Sequence, residues 1–182
     1  MFQVRIHGRG GQGVVTAAEL LSVAAFLDGA HAQAFPSFGS ERTGAPVVAF
    51  CRIDDRAIRV REPIVAPDSL IVQDPTLLHQ VDVFGGLRPG GLVLLNSTHG
   101  AGDLGLGELN VLTVPATDLA RTHLGKPLPN AALLGAFAAA TGVVTLGSVC
   151  AAIRERFSAK PAEGNVAAAV TAFALVAEPA HA

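Results

Sequence analysis

Phe2-Gln3-Val4-Arg5-Ile6-His7-Gly8-Arg9-Gly10-Gly11-Gln12-Gly13-Val14 is the stretch that decides the fold. Phe2, Val4 and Ile6 alternate with Gln3, Arg5 and His7, the period of a β-strand. Gly8 to Gly13 punctuates that strand, and Val14 through Asp28 then repeats apolar residues at helical spacing, with Gly29 as its stop. A strand, a glycine turn and a helix in this order form the opening unit of an α/β sheet. The rest of the chain continues in the same style. Strands are expected at His31–Phe35, Val47–Ile53, Ser69–Val72, Leu92–Asn96 and Asn110–Val114. Helices are expected at Thr76–Val81, Thr117–Leu124, Asn130–Thr141, Leu146–Phe157 and Glu163–Val176. Asp54-Asp55 reads as a turn and Ile58-Arg59-Val60 as a short partner strand, which predicts a hairpin over 47–60. The expected fold is a single α/β domain over 1–176. Its mostly parallel or mixed sheet is covered by helices on both faces, its N-terminal β-loop-α is Rossmann-like, and its last third is helical. Residues 177–182 are expected to be a frayed tail.

Composition narrows the function classes. Half of the 182 residues are hydrophobic, which supplies a core and excludes intrinsic disorder. The formal net charge is −2, so a general electrostatic hold on nucleic acid or anionic lipid is not expected. Charged residues make only 15% of the chain, against about 25% in ordinary soluble domains. A surface partly covered by partners explains that poverty, because interface cores are depleted in charge. Eleven Arg against two Lys also points to a compositional bias of the source, so composition leaves both explanations standing. The N-terminus lacks a secretory pattern and no apolar run is long enough to span a bilayer, hence a cytoplasmic location is expected. Cys51 and Cys150 stand alone in apolar settings and match no zinc or redox spacing.

Gly8-x-Gly10-x-x-Gly13 has the spacing that lets a backbone approach a pyrophosphate at a helix N-terminus. A dinucleotide enzyme also needs an acidic residue about 20 positions on, at the end of the second strand. Gln33 to Phe35 offers none, and Asp28 comes too early. The turn therefore reads as a structural or protein-contact loop, or as a cradle for another phosphate, with Arg9 beside it for a phosphate or a carboxylate. No H-E-x-x-H, carboxylate pair or nucleophile elbow is present, so no catalytic residue is assigned. Phe35, Ser37, Phe38, Glu41 and Arg42 form a loop that combines aromatic anchors with a charged pair, the residue types that dominate interfaces. The plainer reading of Glu41-Arg42 is a local salt bridge.

His7-Gly8-Arg9-Gly10-Gly11-Gln12-Gly13 and Ala34-Phe35-Pro36-Ser37-Phe38-Gly39-Ser40-Glu41-Arg42-Thr43-Gly44-Ala45-Pro46-Val47 closely resemble the gamma subunit of 2-oxoacid:ferredoxin oxidoreductases. Asp74-Pro75-Thr76-Leu77-Leu78 and Asn130-Ala131-Ala132-Leu133-Leu134-Gly135-Ala136-Phe137 look like later motifs of that family, and the resemblance runs from about residue 3 to 175. It implies a heteromeric complex that oxidatively decarboxylates a 2-oxo acid, pyruvate first, to an acyl-CoA and passes electrons to ferredoxin. Thiamine diphosphate, Mg2+, [4Fe-4S] clusters and coenzyme A would serve the complex through alpha, beta and delta chains, and none would be bound by this chain alone. The resemblance gives Gly8, Gly10, Gly11 and Gly13 a backbone contact to a phosphate or a partner. Arg9, Gln12, Glu41 and Arg42 become polar contacts at the subunit boundary, anchored by Phe35 and Phe38. Relatives acting on indolepyruvate, phenylglyoxylate or 2-oxoglutarate fit the same residues, and a stand-alone nucleotide-binding regulator is the reading from another class.

Overall fold

The computed structural model describes residues 1–37 and 43–178. Six strands form one sheet: β1 (Phe2–Arg9), β2 (His31–Pro36), β3 (Pro46–Asp54), β4 (Ser69–Val72), β5 (Leu92–Asn96) and β6 (Val111–Val114). Their order across the sheet is β2-β3-β1-β4-β5-β6. β1 is central, antiparallel to β3 with Val4 opposite Cys51, and parallel to β4 with Val4 opposite Ser69. β4, β5 and β6 continue in parallel, and β2 closes the far edge antiparallel to β3. The sheet is mixed, as the sequence predicts.

The alternation in β1 sorts the two faces. Val4 and Ile6 join Ala49, Cys51, Ile71 and Leu94 under the helices α1 (Val14–Leu27), α2 (Ala116–Leu124), α3 (Asn130–Thr141), α4 (Leu146–Arg156) and α5 (Ala159–Ala177). Leu70, Val72, Val93 and Leu95 point the other way, against Leu77 and Val83 of a 3-10 turn (Pro75–His79) and the loop after it. Helical turns thus cover both faces, unequally. The helical layer is dense because its residues are small. Gly135 lets α3 meet α5 backbone to backbone, since a Cβ there would sit 2.0 Å from the Ala169 carbonyl oxygen.

The hairpin expected over 47–60 does not form. β3 pairs instead with β2 and β1, and Ile58-Arg59-Val60 lies outside any strand. Both edges of β3 are thereby taken, and Arg52 holds the following segment in another way. Its guanidinium, buried against the Phe35 ring at 5.2 Å, donates to the Val60 and Glu62 carbonyl oxygens and so ties that segment down without a ladder. The expected helix over Thr76–Val81 is the 3-10 turn, started by Asp74, whose side chain accepts the Thr76 amide. α5 begins four residues earlier than expected and runs to Ala177, so the expected tail lies largely at 179–182, outside the described residues.

Candidate functional site

Parallel strands leave their carboxyl ends on one edge, and here Arg9, Asp74, Asn96 and Val114 mark it. Because β3 runs antiparallel to β1, its first residue Pro46 lies opposite Arg9 on that same edge. β2 ends there too, with Pro36 opposite Ala49. The two long sequence motifs, separated by about twenty residues of helix α1 and turn, are therefore brought together in space. The Gly10 amide donates to the Ala45 carbonyl at 2.9 Å, the Gly44 amide to Gly10 at 3.1 Å, and the Ser37 amide to Val48 at 2.8 Å.

Arg9 and Asp74 hold this junction. The Arg9 guanidinium donates to the Asp74 carboxylate (3.0 Å), the Gly44 carbonyl (3.0 Å), the Thr76 hydroxyl (2.7 Å) and the Gln80 amide oxygen (2.8 Å). Gln12 closes the turn from within: its Oε1 accepts the Arg9 amide at 2.8 Å and its Nε2 donates to Asp74 at 2.9 Å. Burial pushes the Asp74 carboxyl up, yet the bonds from Thr76 and Gln12 and the Arg9 charge together outweigh it and hold the carboxyl below its ordinary value. The side chains of Arg9 and Gln12 thus face other parts of the chain. What the turn offers outward is backbone.

Gly11 (φ +94°) and Gly13 (φ +75°) adopt the left-handed conformation that brings the chain round, and no side chain caps the N-terminus of α1. A depression of about 330 Å³ opens there, lined by Arg9, Gly10, Gly11, Gly13, Thr16 and Val47. Gly8 is required for a packing reason, since a Cβ would meet Val14 at 2.5 Å. Beneath it lies Gln73, 1% exposed, its amide atoms without a partner among the described residues. Further along the edge, Asn96 donates to the Gln73 carbonyl and the Thr117 hydroxyl, each at 2.8 Å, and accepts the Thr117 amide. A second depression of about 230 Å³ sits above Asn96, Ser97 and Thr117. The sequence reading did not single out Gln73 or Asn96. The signal is a polar residue directly after each of two apolar runs, Leu70–Val72 and Leu92–Leu95.

Of the loop residues read from sequence, Phe35 is half-buried with its ring 5.1 Å from Phe50, and Ser37 is exposed. Phe38, Glu41 and Arg42 lie outside the described residues. The chain's cysteines do not suit an iron–sulfur cluster. Cys51 is enclosed in β3 and burial pushes its thiol up to about 12, while burial also raises Cys150 on α4. No group of three metal-ligating side chains occurs among the described residues, and no helix among them is long and apolar enough to cross a membrane.

Comparison with known proteins gives the same outline. Residues 3–175 match the family Pyruvate ferredoxin/flavodoxin oxidoreductase. The chain is 49% identical over 173 residues to pyruvate synthase subunit PorC of Methanothermobacter thermautotrophicus, covering 95% of this chain and 94% of that one. It is 49% identical over 178 residues to the pyruvate/ketoisovalerate oxidoreductases common subunit gamma of Thermococcus kodakarensis, covering 95% and 96%. The crystal structure of pyruvate oxidoreductase subunit PORC from Thermotoga maritima superposes with a TM-score of 0.83 at 33% identity, covering 95% of each chain. The chain belongs to the gamma-subunit family of pyruvate/2-oxoacid:ferredoxin oxidoreductases.

Proposed function

We propose that this chain is the non-catalytic gamma subunit of a cytoplasmic, multisubunit oxidoreductase that oxidatively decarboxylates pyruvate to an acyl-CoA and passes the electrons to ferredoxin. The observation that carries the reading is near-full-length similarity to subunits named for pyruvate synthase. In such a complex thiamine diphosphate with Mg2+ supports decarboxylation, iron–sulfur clusters carry electrons and coenzyme A accepts the acyl group. Alpha, beta and delta chains hold these groups. This chain contributes a shaped surface. The amides around Gly11 and Gly13, at the positive end of α1, meet a phosphate of coenzyme A or a carbonyl or carboxylate of a partner. Arg9 and Gln12 act as positioning residues that fix the turn against residues 43–46. Phe35 and Ser37, with Phe38, Glu41 and Arg42, form the protein-facing side.

A second reading is favoured by one finding: the Thermococcus relative is named as common to pyruvate and ketoisovalerate oxidoreductases. A gamma chain of that kind serves more than one 2-oxo acid, and the acid is chosen elsewhere. The test is an anoxic affinity pull-down of this chain from its native cell, followed by assay of the recovered material. A thiamine-diphosphate-binding chain and an iron–sulfur chain should co-purify, with ferredoxin reduction dependent on pyruvate and coenzyme A. Recovery of this chain alone, as a monomer or homodimer, would overturn the subunit reading. Activity with another 2-oxo acid and none with pyruvate would overturn only the substrate.

A further inference from the structure

We propose that the cavity between the α2–α3 connection and the first turn of α5 binds an organic anion, a carboxylate carried on an apolar body. The cavity measures about 310 Å³, within the range of small-molecule sites of roughly 300–1,000 Å³. Its walls are Leu124, Leu128 and Phe157. The back is closed by direct approach of α5 to α2, where a Cβ on Gly164 would sit 2.8 Å from the His123 carbonyl oxygen. At the rim stand Lys126 and Lys160. These are the only two lysines in the chain, against eleven arginines.

Charge at this rim is one-sided. No acidic side chain lines the cavity, and neither lysine makes an ion pair with a carboxylate among the described residues. Several exposed arginines, by contrast, do pair: Arg88 with Asp68, Arg121 with Asp118 and Arg154 with Glu163. The N-terminus of α5 adds its partial positive charge at the same place, with no side-chain cap and no acid in its first turn. Lysine suits the task, being a compact charge on a flexible stem that can follow a ligand's carboxylate. His123 is turned to the Thr171 hydroxyl at 3.1 Å, and Asn165, 4% exposed, donates to the Pro161 carbonyl, so the polar part of the floor is held in place. A phosphate or other bare anion would leave the apolar walls unused, and an uncharged lipid would leave both ammonium groups without a partner.

The test is calorimetric titration of the purified full-length chain with sodium octanoate, with methyl NMR to locate the site. Octan-1-ol and inorganic phosphate serve as probes of each half. Saturable one-site binding of octanoate that shifts the Leu124 and Leu128 methyls is expected. It should weaken at least tenfold in a Lys126→Gln/Lys160→Gln double variant, and both half-probes should bind at least tenfold more weakly than octanoate. Both lysines are exposed, so the variant should keep its melting temperature within about 2 °C, which confirms its fold. Absence of saturable binding, equal binding by the variant, or equal binding of phosphate would overturn the proposal. So would protection of both lysines from acetylation by a partner chain in the recovered complex, which would mean that an acidic protein segment occupies the cavity. The binding results on the isolated chain do not depend on the subunit reading, which the pull-down tests separately; only the acetylation outcome needs the recovered complex.

Discussion

Asp74 is the residue on which the edge of the sheet turns. It starts the 3-10 turn through the Thr76 amide and accepts Arg9 and Gln12 at 3.0 and 2.9 Å. Asp74→Ala should lower stability by about 2–3 kcal/mol, since it removes a cap and leaves the Arg9 charge without its counter-charge and Gln12 Nε2 without its acceptor. Chemical denaturation at pH 7 measures it. A carboxyl held below its ordinary value stabilises the fold above that value and loses the effect as pH falls through its folded-state pKa. The gap between wild type and Asp74→Asn should therefore be constant above about pH 5, begin to close as pH falls through the ordinary carboxyl value of about 4, and go on closing below it. His7 behaves oppositely in origin. Burial first, and then the Arg5 charge, push it down to about 4 against the pull of Asp82. Below its ordinary value of about 6.5 the unfolded chain takes up a proton that the folded chain refuses, so stability declines from there to about pH 4. The loss should be on the order of 3 kcal/mol, and a His7→Gln variant should lack that part of the pH slope. Unfolding curves of both proteins at pH 7 and 4.5 decide it.

Among the elements, β4, β5 and α3 have the bounds that the sequence predicts, because each has an apolar interior and is bounded by polar residues or glycine. Ile58-Arg59-Val60 shows where pattern fails. Alternation records which way side chains point, and a segment strapped down by Arg52 from a neighbouring strand alternates as well as one in a ladder. The candidate site was legible as two motifs but not as one place. Their meeting depends on β3 running antiparallel to β1, and strand direction leaves no mark in composition. Nor did Arg5 and Arg52 stand out, since charged residues on a strand read as its wet side. In the structure they are 9% and 2% exposed, and their donors go mostly to backbone carbonyls. The α3–α5 contact gives the sharpest test at this scale. Gly135→Ala drives a methyl into the Ala169 backbone, which no rotamer change relieves. It should cost about 3 kcal/mol in thermal unfolding, more than substitution of the exposed glycine of α4, Gly147→Ala.

For the molecule as a whole, the order in which parts are made differs from the order in which they fit. β1 leaves the ribosome before any strand it pairs with: its neighbours lie at residues 46–54 and 69–72, and the two sheet edges wait for β2 and β6. The helical layer waits longer still. Residues 130–138 of α3 are buried without interruption, and much of what buries them is α5, which is synthesised after it. A chain cut after Phe157 should therefore be made and retained by chaperones or deposited, where the full chain is recovered in the supernatant; fractionation after expression of the two lengths measures this. A nascent chain that shows an all-round apolar helix until its final turn is released has no safe stopping point. Translation pauses or premature termination between α3 and the end of α5 would yield sticky fragments rather than smaller working parts.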